Sequence, residues 1–292
     1  MNETPFDPAA PLRPTGNLRR RRLVSHVAAY GATAAAVAAV AVLAIVVYTV
    51  VSRGAAAISL DFLFKGEPDG IGPMLVGTAE IVAIGTLMAA PVGILIAVYL
   101  TEFAAGGRVD RFVRLTLDLV NGLPSIIIGL FVYGLLVDQR SQSGFAAAVA
   151  LAILMLPIVA RGAQEVLVLV PGSLREAADA LGVSRWRSVL TVILPSATGG
   201  IVTATILAVA RAAGETAPLI LVDSVWSGNE VSLDPFGPVP NVPVKIFRLS
   251  EEANPEALTQ AWGAGLVLLS FIMLAGLGAR ALLARGKRRM AG

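Results

Sequence analysis

Ser173-Leu-Arg-Glu176-Ala-Ala-Asp-Ala-Leu-Gly182, continued by Val-Ser-Arg-Trp186-Arg-Ser-Val-Leu190-Thr-Val-Ile193-Leu-Pro195, is the stretch whose reading decides the fold. Leu174, Ala177, Ala178 and Leu181 fall at i, i+3, i+4 and i+7, one apolar stripe on a helix. Ser173 and Glu176 have the spacing of a capping box, and Gly182 stands where a helix would end. Beyond that glycine, Trp186, Val189, Leu190 and Ile193 repeat the spacing until Pro195, which closes the segment. The pattern predicts two short amphipathic helices joined at a glycine, set between two long apolar runs in the region Arg161 to Val222. Periodicity alone is equally compatible with surface helices packed on their own protein.

The apolar runs fix the class. Of 292 residues, 56% are hydrophobic and 15% charged, a composition suited to the bilayer. Six runs reach the roughly 20 residues needed to span it or come close: 23–51, 73–100, 115–137, 144–161, 199–222 and 261–284. With the amino terminus inside, the cytoplasmic segments 1–22, 101–114, 161–198 and 280–292 hold seventeen of the 23 Lys and Arg. The opposite topology would put those seventeen outside, against the positive-inside rule. The expected organisation is a disordered basic tail (1–22), a first transmembrane helix (23–51), a five-helix core over 73–284 and a cytoplasmic tail (285–292).

Smaller features bound the reading further. Pro5, Pro8, Pro11 and Pro14 mark the amino-terminal tail as disordered. Arg19–Arg22 precede an apolar run too long for a signal peptide, although Ala55-Ala-Ala57 could mimic a cleavage site. There is no cysteine, so no disulfide or thiolate metal site is possible. His26, the single histidine, sits beside the basic cluster as an interfacial residue without partners for metal or base chemistry. The external loop 223–260 carries Asp223, Glu230, Asp234, Glu251, Glu252 and Glu256. It reads either as a contact for an external partner or as a plain solvated loop.

Three blocks resemble a known family. Glu176-Ala-Ala, Gly182 and Leu194-Pro195 resemble the EAA loop of ABC-importer permeases, with Val192 where that family usually has Ile. Leu207-Ala-Val-Ala-Arg211-Ala-Ala-Gly214-Glu215-Thr216-Ala217-Pro218-Leu219 resembles the signature of PstA-type phosphate permeases, and Asn121-Gly-Leu-Pro124-Ser125-Ile-Ile-Ile-Gly129-Leu-Phe131 adds a third match. The resemblance implies an all-α integral membrane protein with six transmembrane helices, a type I (MetI-like) permease of the bacterial cytoplasmic membrane. It implies a second homologous permease subunit, two ATPase subunits that bind ATP and Mg, and an external phosphate-binding protein. It also implies that Glu176 lies in the coupling loop, where Ala177, Ala178 and Gly182 are small so that the helix seats in a groove of the ATPase. The cargo would be inorganic phosphate, or alternatively another oxyanion such as molybdate or sulfate.

Candidate pathway residues follow from charge within apolar runs. An arginine at a helix centre costs about 2.5–3.5 kcal/mol on insertion scales, so Arg211 in 199–222 calls for a water-filled path or a partner. Glu215, at i+4, is expected one turn later on the same face. The two either form a structural ion pair or serve an anion, the planar guanidinium binding it and Glu215 positioning the arginine. Arg161 either snorkels to the inner headgroups or gives the anion a second station. Pro124, with Asn121 and Ser125, points to a kink and helix packing, or less directly to substrate contact. Glu80 suggests an interhelical or water contact.

Other chemistries find little support. No Gly-x4-Gly-Lys-Ser/Thr phosphate loop exists, since Lys65, Lys245 and Lys287 precede Gly, Ile and Arg. ATP would therefore be hydrolysed on another chain. A membrane enzyme would need a convergent acid, base, nucleophile or metal set that the runs do not offer. A passive channel or scaffold is disfavoured by the coupling loop. The sequence thus predicts a transport subunit, with no cofactor of its own.

Overall fold

A computed structural model describes residues 17–104, 106–138, 141–224 and 230–290. The expected disordered tail and the last two residues of the carboxy-terminal tail lie largely outside them. Two units are distinguished, with a boundary after Val51. The first contributes most of helix α1 (Leu18–Gly54), which begins within the expected tail and is apolar beyond its opening arginines.

Among its described residues the second unit is built from helices joined by irregular connections, with no strand. Its elements are α2 (Leu60–Phe64), α3 (Gly72–Val98), α4 (Arg108–Gly122), α5 (Ser125–Val132), α6 (Gly144–Val168), α7 (Gly172–Ala180), α8 (Arg185–Ser188), α9 (Leu194–Ala212), α10 (Ala217–Val222), α11 (Val242–Glu251) and α12 (Pro255–Met290). Single π-helical turns extend α3 (Tyr99–Phe103) and α5 (Tyr133–Val137), and a third (Val189–Ile193) fuses α8 to α9.

The centre is α6, packed most extensively against α3 and then α9. Its alanines 146, 147, 148, 150, 160 and 163 are fully buried. Small side chains let membrane helices approach until backbones nearly touch, where dispersion rather than hydrophobic exclusion holds them. Gly93 of α3 lies under Val159, and Gly162 of α6 under Ala204 of α9, each with no room for a methyl group.

Among the described residues five helices are long and apolar enough to cross a membrane, or six if α4 and α5 count as one bent span. This departs from the expected organisation in four places. The run 115–137 is not a straight helix, because α4 and the α5 segment meet at about 100°. Pro124 causes the break: it has no N–H to continue the ladder and forces Leu123 into extended backbone (ψ 138). The run 199–222 is also broken, since α9 ends at Ala212. Third, Pro195 does not close the coupling segment, and one helix runs from Arg185 to Ala212 straight through it. Proline sits in the first turn of α9, where the preceding π turn has already shifted the hydrogen-bond ladder. The helix α6 likewise runs on to Val168, past the expected inner boundary at 161.

The external segment is partly core rather than a solvated loop. Phe145 N–H donates to Pro235 O at 2.6 Å and Gly144 N–H to Gly237 O at 2.9 Å. Val239 is fully buried, and Gly77 of α3 passes so close to Pro240 that a Cβ would lie 2.0 Å from its carbonyl oxygen.

Candidate functional site

The candidate pathway lies at the break that follows α9. Arg211 occupies the last turn of that helix, where a cation complements the negative end of the helix dipole. Glu215 is in the connection to α10, with its N–H donating to Ala212 O, so the two residues do not share one helical face as the spacing predicted. Their side chains are still neighbours, Arg211 Nε standing 3.6 Å from Glu215 Oε1. That is an ion pair too long for a hydrogen bond. The Arg211 side chain is 59% exposed and that of Glu215 18%. The guanidinium is therefore accessible and only loosely partnered.

Two sequence blocks that resemble the family meet beside this break. Helix α10 packs on α5, and at their crossing Gly129 faces Pro218 so closely that a Cβ would lie 2.6 Å from the proline Cα. Gly129 belongs to the Asn121–Phe131 block and Pro218 to the Arg211–Leu219 block. Pro124 thus acts through the bend it creates, which aims α5 at α10.

Arg161 has an environment that neither sequence reading gave it. Its Nη2 donates to Asp118 Oδ1 and to Arg114 O (3.1 Å), and Nη1 to Gln164 Oε1 (3.3 Å). Arg114 in turn pairs with Asp110 at 2.8 Å. These contacts fasten the bent α4 to α6.

The loop that carries Glu176 forms the two expected elements with different ends. The capping box is not made. Pro171 takes the cap position, no side chain caps α7, and Ser173 already lies inside the helix. The glycine stop is made. Gly182 has φ +68, its N–H donates to Asp179 O, and Val183 N–H donates to Ala178 O, the paired bonds of a Schellman motif. Glu176, Ala177 and Gly182 are exposed, while Ala178 is 6% exposed and turns into its own chain. Leu181, 81% exposed, and Trp186, 52% exposed, stand out from the same loop.

Two buried carboxylates escaped the sequence reading. Glu102, 2% exposed, receives Arg175 at 2.7 Å. Only its position just past an apolar run hinted at it. Asp223, 1% exposed, ends α10 and roots the external segment: Oδ1 accepts from Val239 N–H (3.0 Å), and Asn241 Nδ2 donates to Asp223 O (3.2 Å). Burial pushes its carboxyl up to about 8, against the pull of Val239 N–H and the Asn241 amide, with the Glu80 charge adding to the rise. Among the described residues Asp223 Oδ2 and Glu80 Oε2 have no hydrogen-bond partner. No group of three or more acidic or histidine side chains among the described residues could hold a metal ion.

The family described as binding-protein-dependent transport system inner membrane component matches residues 89–289 of this chain. The chain belongs to that family. Its permease relatives include the phosphate transport system permease protein PstA of Xylella fastidiosa (strain Temecula1), 37% identical over 279 residues, 92% of this chain and 96% of the relative. That of Pasteurella multocida is 35% identical over 241 residues, covering 80% and 85%. PstA 1 of Mycobacterium tuberculosis (strain H37Rv) is 34% identical, covering 86% and 84%. Among solved structures, an inward-facing form of the MetNI methionine ABC transporter aligns with a TM-score of 0.61 over 78% of this chain and 99% of that one, at 20% identity. A second form gives 0.57. The fold is thus the MetI-type importer permease fold, in a multi-pass inner-membrane transport component that is not itself an enzyme.

Proposed function

We propose that this chain is one of two related permease subunits lining the path by which an ATP-driven importer carries inorganic phosphate into the bacterial cell. The observation that carries this is the agreement between the cargo named in the PstA relatives, matched over most of both chains, and the exposed Arg211 in the block that resembles PstA. ATP and Mg bind to two partner ATPase subunits, and an external binding protein delivers the anion. The amino terminus lies in the cytoplasm, on the side of the basic segments.

In this reading Arg211 offers a passing phosphate a planar fork of donors, and Glu215 holds the fork while taking little of its charge. One loosely held arginine suits a site that must release as well as bind. Arg161 is a weaker inner station, because Asp118 already neutralises much of its field. Glu176 and Ala177 present the exposed face of α7, and Gly182 the turn after it, to the ATPase groove, and Ala178 seats the helix on its own chain. ATP binding draws the ATPases together and rocks this loop, turning the path outward.

Labelled phosphate uptake at micromolar concentration, in bacteria lacking this gene and other phosphate systems, tests the proposal. Uptake should return with the wild-type chain, resist excess molybdate and sulfate, and fail with Arg211→Gln despite normal complex assembly. Competition by molybdate or sulfate would reassign the cargo, and normal uptake by Arg211→Gln would remove that residue from the path.

A further inference from the structure

We propose that Arg175 and Glu102 form the joint through which the coupling loop drives α3, and through α3 the external face of the subunit. The guanidinium of Arg175 touches three elements at once. Nη2 donates to Glu102 Oε1 at 2.7 Å, and Nε is shared between Oε1 and Oε2 at 3.2 and 3.3 Å. The same group donates to Val170 O at 2.7 Å and Leu167 O at 3.0 Å, carbonyls at and beyond the end of α6. Arg175 is on α7, and Glu102 is in the π turn that ends the α3 helix.

The geometry suits transmission of force. Glu102 is 2% exposed, and a carboxylate at that depth cannot part from Arg175, its ionic partner among the described residues, without being left charged in a poorly solvated site. The pair therefore moves as one body. Beside it Phe103 stacks near Trp186, ring centres 6.0 Å apart, with the Arg185 guanidinium 5.7 Å from the Phe103 ring centre. Polar and apolar contacts thus fasten the end of α3 to both halves of the loop.

At its far end the same helix holds the external segment. Thr78 Oγ1 accepts from Val242 N–H at 2.9 Å, and Gly77 passes directly beneath Pro240. The helical stretch Gly72–Phe103 has 32 residues, about 48 Å at 1.5 Å per residue. A displacement imposed on α7 therefore reaches the external surface along one continuous helix. Arg175 and Glu102 are positioning residues, since neither touches the cargo.

The inference rests on the reading that α7 docks the ATPase, and the experiment separates the two. The complete importer, with permeases, ATPases and binding protein, is reconstituted in liposomes with Glu102→Gln, and separately with Arg175→Lys. Phosphate carried per ATP hydrolysed and the stimulation of ATP hydrolysis by loaded binding protein are the readouts. Expected are ATPase subunits that still co-purify, at least a fivefold fall in phosphate carried per ATP for Glu102→Gln, and a smaller fall for Arg175→Lys, which keeps one charged donor. A wild-type ratio and stimulation in both variants would overturn the joint, as would loss of the ATPases, which would make the pair a docking brace. Undiminished ATPase binding by Ala177→Glu in the otherwise native chain would instead overturn the docking reading itself.

Discussion

Replacing Gly129 by alanine tests the contact on which the candidate pathway depends. A Cβ at that position would lie 2.6 Å from Pro218 Cα, 3.1 Å from its Cβ and 3.2 Å from its carbonyl oxygen. Carbon atoms settle at about 3.5–4.0 Å, so α10 must retreat by about 1 Å or α5 must turn. Neither backbone atom can rotate out of the way as a flexible side-chain tip would. Overpacking of this kind costs about 1–3 kcal/mol. The displaced helix is joined through a short connection to Glu215 and Arg211, so the shift reaches the guanidinium. The expected outcome is a complex that still assembles, has a lower thermal midpoint and loses at least nine-tenths of its phosphate uptake, an order of magnitude consistent with that energy. Gly122→Ala is the control, because a Cβ there meets nothing within 4 Å. It should leave both readouts unchanged. Wild-type uptake and thermal midpoint for Gly129→Ala and for the bulkier Gly129→Val would refute the contact and the reasoning built on it.

Two further perturbations probe the ends of the subunit. Gly182→Ala keeps the loop's charge and surface but places a Cβ on a residue with φ +68, a strain of about 1–2 kcal/mol. ATPase retention in detergent should fall several-fold, and Gly182→Asn, which tolerates that backbone better, should retain more; equal retention by all three chains would show that the turn is not needed. At the outer end, the Asp223 carboxyl is held up at about 8 by burial, well above its unfolded value near 3.8. Between those values the folded state binds more protons at this group than the unfolded one, so the contribution of Asp223 to stability is greatest at low pH and declines as pH rises toward 8, by up to about 1.4 kcal/mol per unit. Asp223→Asn should flatten the thermal midpoint between pH 6 and 8, and an unchanged slope would assign the dependence elsewhere.

What the sequence revealed follows the range of the interactions involved. Span composition, the glycine stop at Gly182 and the kink at Pro124 are local, and each appears where the residues predict. The break after Ala212 was hidden because Ala213, Ala217 and Leu219 keep the run apolar across it. Pro195 resembles a stop because, in the sequence, a proline at a helix start and one at a helix end look alike; the preceding π turn distinguishes them. Ser173 has the right neighbour for a capping box, yet Pro171 starts the helix earlier and leaves the box inside it. The Arg175–Glu102 pair joins residues 73 apart in sequence, and no periodicity connects them. Asp223 was legible as an external acid, but its burial depends on Val239 and Asn241 folding back.

The ion pairs also explain why Arg211 rather than another arginine is assigned to the anion. Arg175, Arg114 and Arg161 each meet a carboxylate within hydrogen-bonding distance, and each also bonds a backbone carbonyl. Such groups have spent most of their donors on the fold, which leaves Arg161 at most the weaker station and Arg114 and Arg175 none. Arg211 has the longest separation among the described ion pairs, 3.6 Å through Nε, and most of its surface is open. Exposed pairs of this kind contribute about 0–1 kcal/mol, so an incoming anion displaces little when it takes the remaining donors. A tighter Arg211–Glu215 pair would make a better structural brace and a poorer transport site. On the proposed function, the looseness of this pair suits a path through which an anion must both enter and leave.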